Sequence, residues 1–267
     1  GLMSAIENDF YQEINSSQEH EGITITIDGV IVDEGKMVLF YTLVSDRNIN
    51  SVYPEKVKLK DENGMDIEKI GVSYGGFQDL RKGDPVSNTL DFHFEDKNVP
   101  ESLLLSISLS GQGSNSPTWE IPFTIDKSMY QGLKEEVTLN ETVSIEGQKI
   151  IFEKVTILPT RVAVQLTYDE ANTKQIFAFE DLRLVDENGE RWDGISNGVS
   201  ASIPSDNERI IYLQSNYFKK AKELYLEFSS VRALDKDELE VVVNTATNKL
   251  LKAPQDGMLS SVEKRAH

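Results

Sequence analysis

Gly22-Ile-Thr-Ile-Thr-Ile-Asp-Gly-Val-Ile-Val-Asp-Glu-Gly-Lys-Met-Val-Leu-Phe-Tyr-Thr-Leu43 reveals the architecture, because the chain carries its pattern twice. Its counterpart is Gln148-Lys-Ile-Ile-Phe-Glu-Lys-Val-Thr-Ile-Leu-Pro-Thr-Arg-Val-Ala-Val-Gln-Leu-Thr-Tyr168. At a constant offset of 125 positions, Ile25 falls on Ile150, Ile27 on Phe152, Val30 on Val155 and Leu39 on Val164. The same offset carries Asp61-Glu62-Asn63-Gly64 onto Asp186-Glu187-Asn188-Gly189. Further along the offset shortens to 121, and Thr89–Phe92 meets Ile210–Leu213 while Leu103, Leu105 and Ile107 meet Leu224, Leu226 and Phe228. Ile121 and Phe123 meet Val241 and Val243 after one more deletion. A period of this length means two copies of one domain rather than a solenoid of small repeats.

Within each copy the apolar period is two. Ile23, Ile25 and Ile27 alternate with threonines, the alternation slips at Asp28-Gly29, and it resumes at Val30 and Val32. The second copy slips at Glu153-Lys154, the equivalent place, which predicts a β-bulge in both. Asp33–Lys36 and Leu158–Arg161 read as hairpin turns, and each Asn-Gly reads as a turn that accepts positive φ. About seven short strands per copy, separated by turn residues, match an antiparallel sandwich of immunoglobulin-like size. The expected organisation is an amphipathic helix in residues 1–20, a first sandwich over 21–127, a connector over 128–136 with one helical turn, a second sandwich over 137–248, and a tail over 249–267 without regular structure. The helix rests on Met3, Ile6, Phe10 and Ile14, which recur at steps of three and four within residues 2–17. Tyr217–Glu223 reads as a further helical turn.

At 267 residues, each copy is long enough to bury its own core. The net charge of −18 and the lack of any basic run longer than Lys219-Lys220 argue against nucleic acid and anionic membrane surfaces as partners. The sequence contains no cysteine, so it has neither disulfides nor thiolate metal sites. His20, His93 and His267 show no ligand spacing, and no nucleophile elbow, P-loop or dinucleotide-binding motif occurs. Neither Asp-Glu-Asn-Gly stretch carries a full calcium-loop pattern, and both read as turns. No catalytic, cofactor or metal residues are assigned. Trp119 alternates with Ile121 and Phe123 and reads as core. Trp192, whose first-copy equivalent is Ile67, and Tyr74 beside Gly75-Gly76 are the candidate surface contacts.

The hairpin at Gly22–Leu43 and the turn at Leu59–Gly64 resemble an extracytoplasmic, immunoglobulin-like family of unknown function found in Gram-positive membrane proteins related to anti-sigma factors. A related second domain commonly follows in that family, as Val137–Thr247 does here. The resemblance implies a sensory or regulatory, non-catalytic region on the outer face of the cell membrane. Its implied partners are an unknown ligand or protein outside the cell, and a sigma factor and the membrane through segments upstream of Gly1. The alternative expectation is a cell-surface adhesion or carbohydrate-binding module with an exposed aromatic platform at Trp192 or Tyr74. A third is a hydrolase with a carboxylate pair or perturbed histidine in a cleft.

Overall fold

A computed structural model describes residues 2–7, 9–111, 116–196, 198–236, 242–244 and 249–252. It is almost entirely antiparallel β-structure with one short helix, as expected from the sequence. The first copy comprises α1 (Leu2–Glu7), β1 (Gln12–His20), β2 (Ile23–Asp33), β3 (Lys36–Ser45), β4 (Ile49–Val52), β5 (Pro54–Lys60), β6 (Ile70–Tyr74), β7 (Gln78–Leu80), β8 (Val86–Phe94), β9 (Ser102–Leu109) and β10 (Thr118–Thr124). A 3-10 turn at Lys127–Met129 occupies the connector, where Asp126 accepts a hydrogen bond from the Ser128 amide at 3.1 Å. The second copy comprises β11 (Glu135–Ile145), β12 (Gln148–Ile157), β13 (Val162–Tyr168), β14 (Lys174–Glu180), β15 (Arg183–Asp186), β16 (Arg191–Trp192), β17 (Ala201–Ser205), β18 (Glu208–Leu213), β19 (Leu224–Glu227) and β20 (Ser230–Asp235). A last hairpin pairs β21 (Val242–Asn244) with β22 (Lys249–Lys252).

The main sheet is the same in both copies. Its order is β1-β2-β3-β8-β6 in the first and β11-β12-β13-β18-β17 in the second. Registers repeat as well: Met37 pairs with Phe92 and Val162 with Leu213, so both sequence offsets are reproduced in space. The expected bulges are present, with a register shift at Ile27/Gly29 and another at Phe152/Lys154. Each bulge residue holds the next strand by a side-chain bond. The Thr42 hydroxyl donates to Asp28 at 2.6 Å, and the Thr167 hydroxyl donates to Glu153 at 2.6 Å. The Asp-Glu-Asn-Gly turns are equally matched. Asp61 accepts amides of Asn63 and Met65, Asp186 accepts those of Asn188 and Glu190, and Gly64 and Gly189 take φ of 75° and 79°.

Opposite the first main sheet lies β10-β9-β5. Ile25, Ile27, Leu39 and Phe92 from one layer and Leu105, Ile107, Trp119 and Ile121 from the other are buried together in the first core. The Trp119 indole N–H donates to the Ile23 carbonyl at 3.0 Å, which satisfies its one polar atom inside the core. The second core gathers Ile150, Val155, Val164, Leu166, Leu184 and Trp192.

Three local expectations are corrected. The helix expected over residues 2–17 ends at Glu7, and Gln12–His20 is a strand. Ile14 is its only large apolar residue, so its conformation is set by pairing with the edge of β2 and not by its own periodicity. Its side chains then reach β10: Gln12 donates to the Thr124 carbonyl, Ser16 donates to the Pro122 carbonyl, and Gln18 accepts from the Glu120 amide. Tyr217–Glu223 forms turns without a helix, because its backbone amides bond elsewhere: Lys222 and Glu223 donate to the Glu187 carboxylate. Lys249–Lys252, expected to be irregular, forms β22 by pairing with β21, while residues 253–267 lie outside the described ones.

Candidate functional site

The two hairpin turns that the repeat makes equivalent meet each other. Asp33–Lys36 joins β2 to β3, and Leu158–Arg161 sits between β12 and β13 at the same point of the second copy. The Asp33 carboxylate, buried from solvent, accepts the Thr160 amide at 3.0 Å and the Thr160 hydroxyl. Burial pushes the Asp33 carboxyl upward, with the Arg161 cation and the two bonds from Thr160 pulling the other way. Its Oδ1 atom has no hydrogen-bond partner among the described residues.

Arg161 crosses the same boundary. It is buried, donates to His93 Nδ1 at 3.0 Å and to the Glu34 carbonyl at 3.4 Å, and lies 4.0 Å from the centre of the Tyr212 ring. Arginine has no acceptor, so His93 Nδ1 must be unprotonated and the ring's hydrogen sits on Nε2. Burial, then Arg161 and Lys36, hold the His93 pKa down at about 4. Lys36 stands 3.8 Å from Asp91, and burial lowers the one and raises the other. Five ionisable groups from both copies are thus packed at one boundary. They neutralise one another in place, which is how buried charges survive.

Beside this contact is a cavity of about 280 Å³. Its walls come from the first hairpin tip (Val32, Asp33), the loop at Val99, the residue that follows β10 (Ile125), the connector (Leu133) and the second hairpin tip (Leu158, Pro159). Lys97, Lys127 and Lys134 line it as well. On another side an apolar cluster ties helix, connector and both copies together: Phe10 packs edge-on to Tyr130 at 5.2 Å and to Phe218 at 6.1 Å. A larger cleft of about 610 Å³ lies within the second sandwich, lined among others by Phe177, Ile203, Arg191 and Arg209. Among the described residues, no three His, Cys, Asp or Glu side chains converge as a metal site would require.

The sequence-derived surface contacts fare differently. Trp192 is buried, 8% exposed, and packs in the second core; β16 turns it inward by pairing with Leu184. That removes it as a platform. Tyr74 is 40% exposed at the end of β6, and Phe77, three residues on and 71% exposed, packs edge-on to Tyr53. The structure does not bring Trp192 and Tyr74 into one site: they belong to different sandwiches. Sequence reasoning missed Asp33, His93 and Arg161. A signal was present: the turn equivalent to the polar Asp33-Glu34-Gly35-Lys36 is Leu158-Pro159-Thr160-Arg161, and Leu-Pro suits a covered turn better than a solvated one.

Comparison with known proteins finds matches to two domain models and no activity. Residues 134–252 match a family of unknown function (DUF5643), and residues 1–45 match a domain of unknown function (DUF4179). No curated protein matches the chain. A solved structure described as the crystal structure of the conserved domain protein from Bacillus anthracis is similar, with a TM-score of 0.51 and 15% identity, covering 85% of this chain and 92% of that one. At that identity the likeness concerns the fold alone. No described helix is long and apolar enough to cross a membrane.

Proposed function

We propose that the two sandwiches form a non-catalytic sensory region, held outside the cell by a membrane-anchored protein related to anti-sigma factors. The observation that carries this is the junction: equivalent turns of the two copies dock through buried Asp33, Thr160 and Arg161, and both copies line one cavity. A molecule or partner engaging there has different affinity for docked and undocked arrangements, which is the physical requirement for a signal. The resemblance of Gly22–Leu43 to extracytoplasmic domains of such regulators supports the cellular setting.

The test is made on intact cells expressing the full-length protein with a tag in this region. Protease added outside should remove the tag, and deleting both sandwiches should change the output of a sigma-factor-dependent reporter. A tag protected until the cells are lysed, or an unchanged reporter, would overturn the reading. The adhesion or carbohydrate-binding alternative keeps two supporting features, the exposed Tyr74 and the second-sandwich cleft with half-exposed Phe177. A glycan array would detect it, with loss of signal in Phe177→Ala.

A further inference from the structure

We propose that the junction cavity binds an amphipathic anion, a molecule with a compact apolar body and one carboxylate or sulfonate head. The inner walls are Val32, Val99, Ile125, Leu158 and Pro159, all of them buried. At about 280 Å³, the space holds a body of about ten non-hydrogen atoms, taking roughly 30 Å³ for each water-sized unit. Such a lining gives no hydrogen bonds to water and favours an apolar guest.

The charged residues fix the sign and the direction of the head. Lys134 pairs with Glu34 at 3.3 Å, whereas Lys97 and Lys127 form no ion pair among the described residues. Lys97 and Lys134 also line an adjoining cleft with Lys154, which pairs with Glu136 at 3.2 Å. Glu136 registers this local field: its carboxyl is held low first by the bond from Lys154, then by the charges of Lys154, Lys134 and Lys97. In a chain of net charge −18, a cavity lined by Lys97, Lys127 and Lys134 against Asp33 and Glu34 is a local reversal of sign. Asp33 repels an anion from the inner wall, so the head lies toward Lys97 and Lys127 and the apolar body lies inward. Since both sandwiches and the connector contribute walls, occupancy would shift their docking equilibrium. That consequence, though not the binding itself, rests on the sensory reading above.

The test uses the whole chain and the fluorescent probe naphthalene-1-sulfonate, whose fused-ring body matches the size of the cavity. Saturable one-to-one binding is expected, displaced by decanoate at least about tenfold more effectively than by decanol, with decylammonium weaker still. The double variant K97E/K127E should weaken probe binding about tenfold or more while leaving the denaturant unfolding curve unchanged. Leu133→Trp, which fills the cavity from the connector side, should abolish binding and leave the far-UV circular dichroism unchanged. Binding unaffected by both variants, preferential displacement by decylammonium, or no saturable binding to the folded protein would overturn the proposal. None of those results would touch the extracytoplasmic placement, which is read separately on intact cells.

Discussion

Among the described residues, the first sandwich is laced shut along an edge where the second is not. In the first, β10 pairs with β9, and β1 reaches β10 through Gln12, Ser16 and Gln18. The positions equivalent to those three in the second copy are Val137, Glu141 and Val143, and neither valine side chain can donate or accept a hydrogen bond. Among the described residues, β19 pairs only with β15. The burial follows: Leu103 is 3% exposed and its equivalent Leu224 is 37% exposed. Gly29 differs in the same sense. A Cβ there would lie 2.2 Å from the Tyr11 ring and 2.5 Å from the Gln12 carbonyl, yet the equivalent residue is Lys154. Main-sheet order and register are common property of the two copies, while closure of the facing sheet is particular to each. A duplicated fold conserves its hydrogen-bonded ladder more faithfully than its packing.

Four measurements would test this difference between the copies. The largest effect is expected from the tryptophans. Trp119→Ala should destabilise the first sandwich by about 4 kcal/mol, since it removes a fully buried ring together with its bond to Ile23. Trp192→Ala, in a two-residue strand of the less closed copy, should destabilise by about half as much. Equal losses in urea melts would mean that the two cores are equally tight. Next, Arg161→Ala removes the buried cation between the copies and should cost about 3 kcal/mol. The unfolding transition should then split into two, one per sandwich, in calorimetry; a single transition would show that the copies are coupled by other contacts.

A smaller effect is expected from acid. The folded pKa of His93 is held at about 4, below the unfolded value of about 6.5. The unfolded chain therefore takes up this proton first. The stabilising contribution of His93 is intact above about pH 6.5 and lost as pH falls toward about 4. Asp33 and Asp91, both raised, act in the opposite sense, so the clean readout is a difference between variants. The destabilisation caused by His93→Gln at pH 7.5 should shrink by roughly 1–2 kcal/mol at pH 4.5, allowing for solvent screening of this partly buried ring. A constant difference would place the ring's titration elsewhere. Last, Thr42→Val and Thr167→Val should each cost about 1 kcal/mol, because each removes the same bulge-holding bond to a carboxylate. Unequal values would show that one bulge is held by its surroundings.

Features that depend on neighbours in sequence were legible. The alternation slip located both bulges, and the Asp-Glu-Asn-Gly stretches located matched turns. Strand β1 was not, because a polar edge strand has no apolar period of its own to display. Its repeat was nonetheless written in backbone-special residues. Asn15 and Asn140 take φ of 53° and 50°, and the two-residue turns Glu21-Gly22 and Glu146-Gly147 take positive φ throughout. Extending the 125-residue offset upstream would have found the strand. The junction was less accessible, since Asp33 and Thr160 are 127 positions apart and only the docking of the copies brings them together.

The lacing of β1 has a mechanical side. This strand is bonded along both long edges, by a backbone ladder to β2 and by side chains to β10. A pull along the strand at Gln12 must slide it past two neighbours at once, loading many bonds in parallel as shear. A single-edged strand peels from one end and loses its bonds one at a time. The first sandwich is built to bear tension at its entry point, and the second, entered through Val137 and Val143, would yield first under the same load.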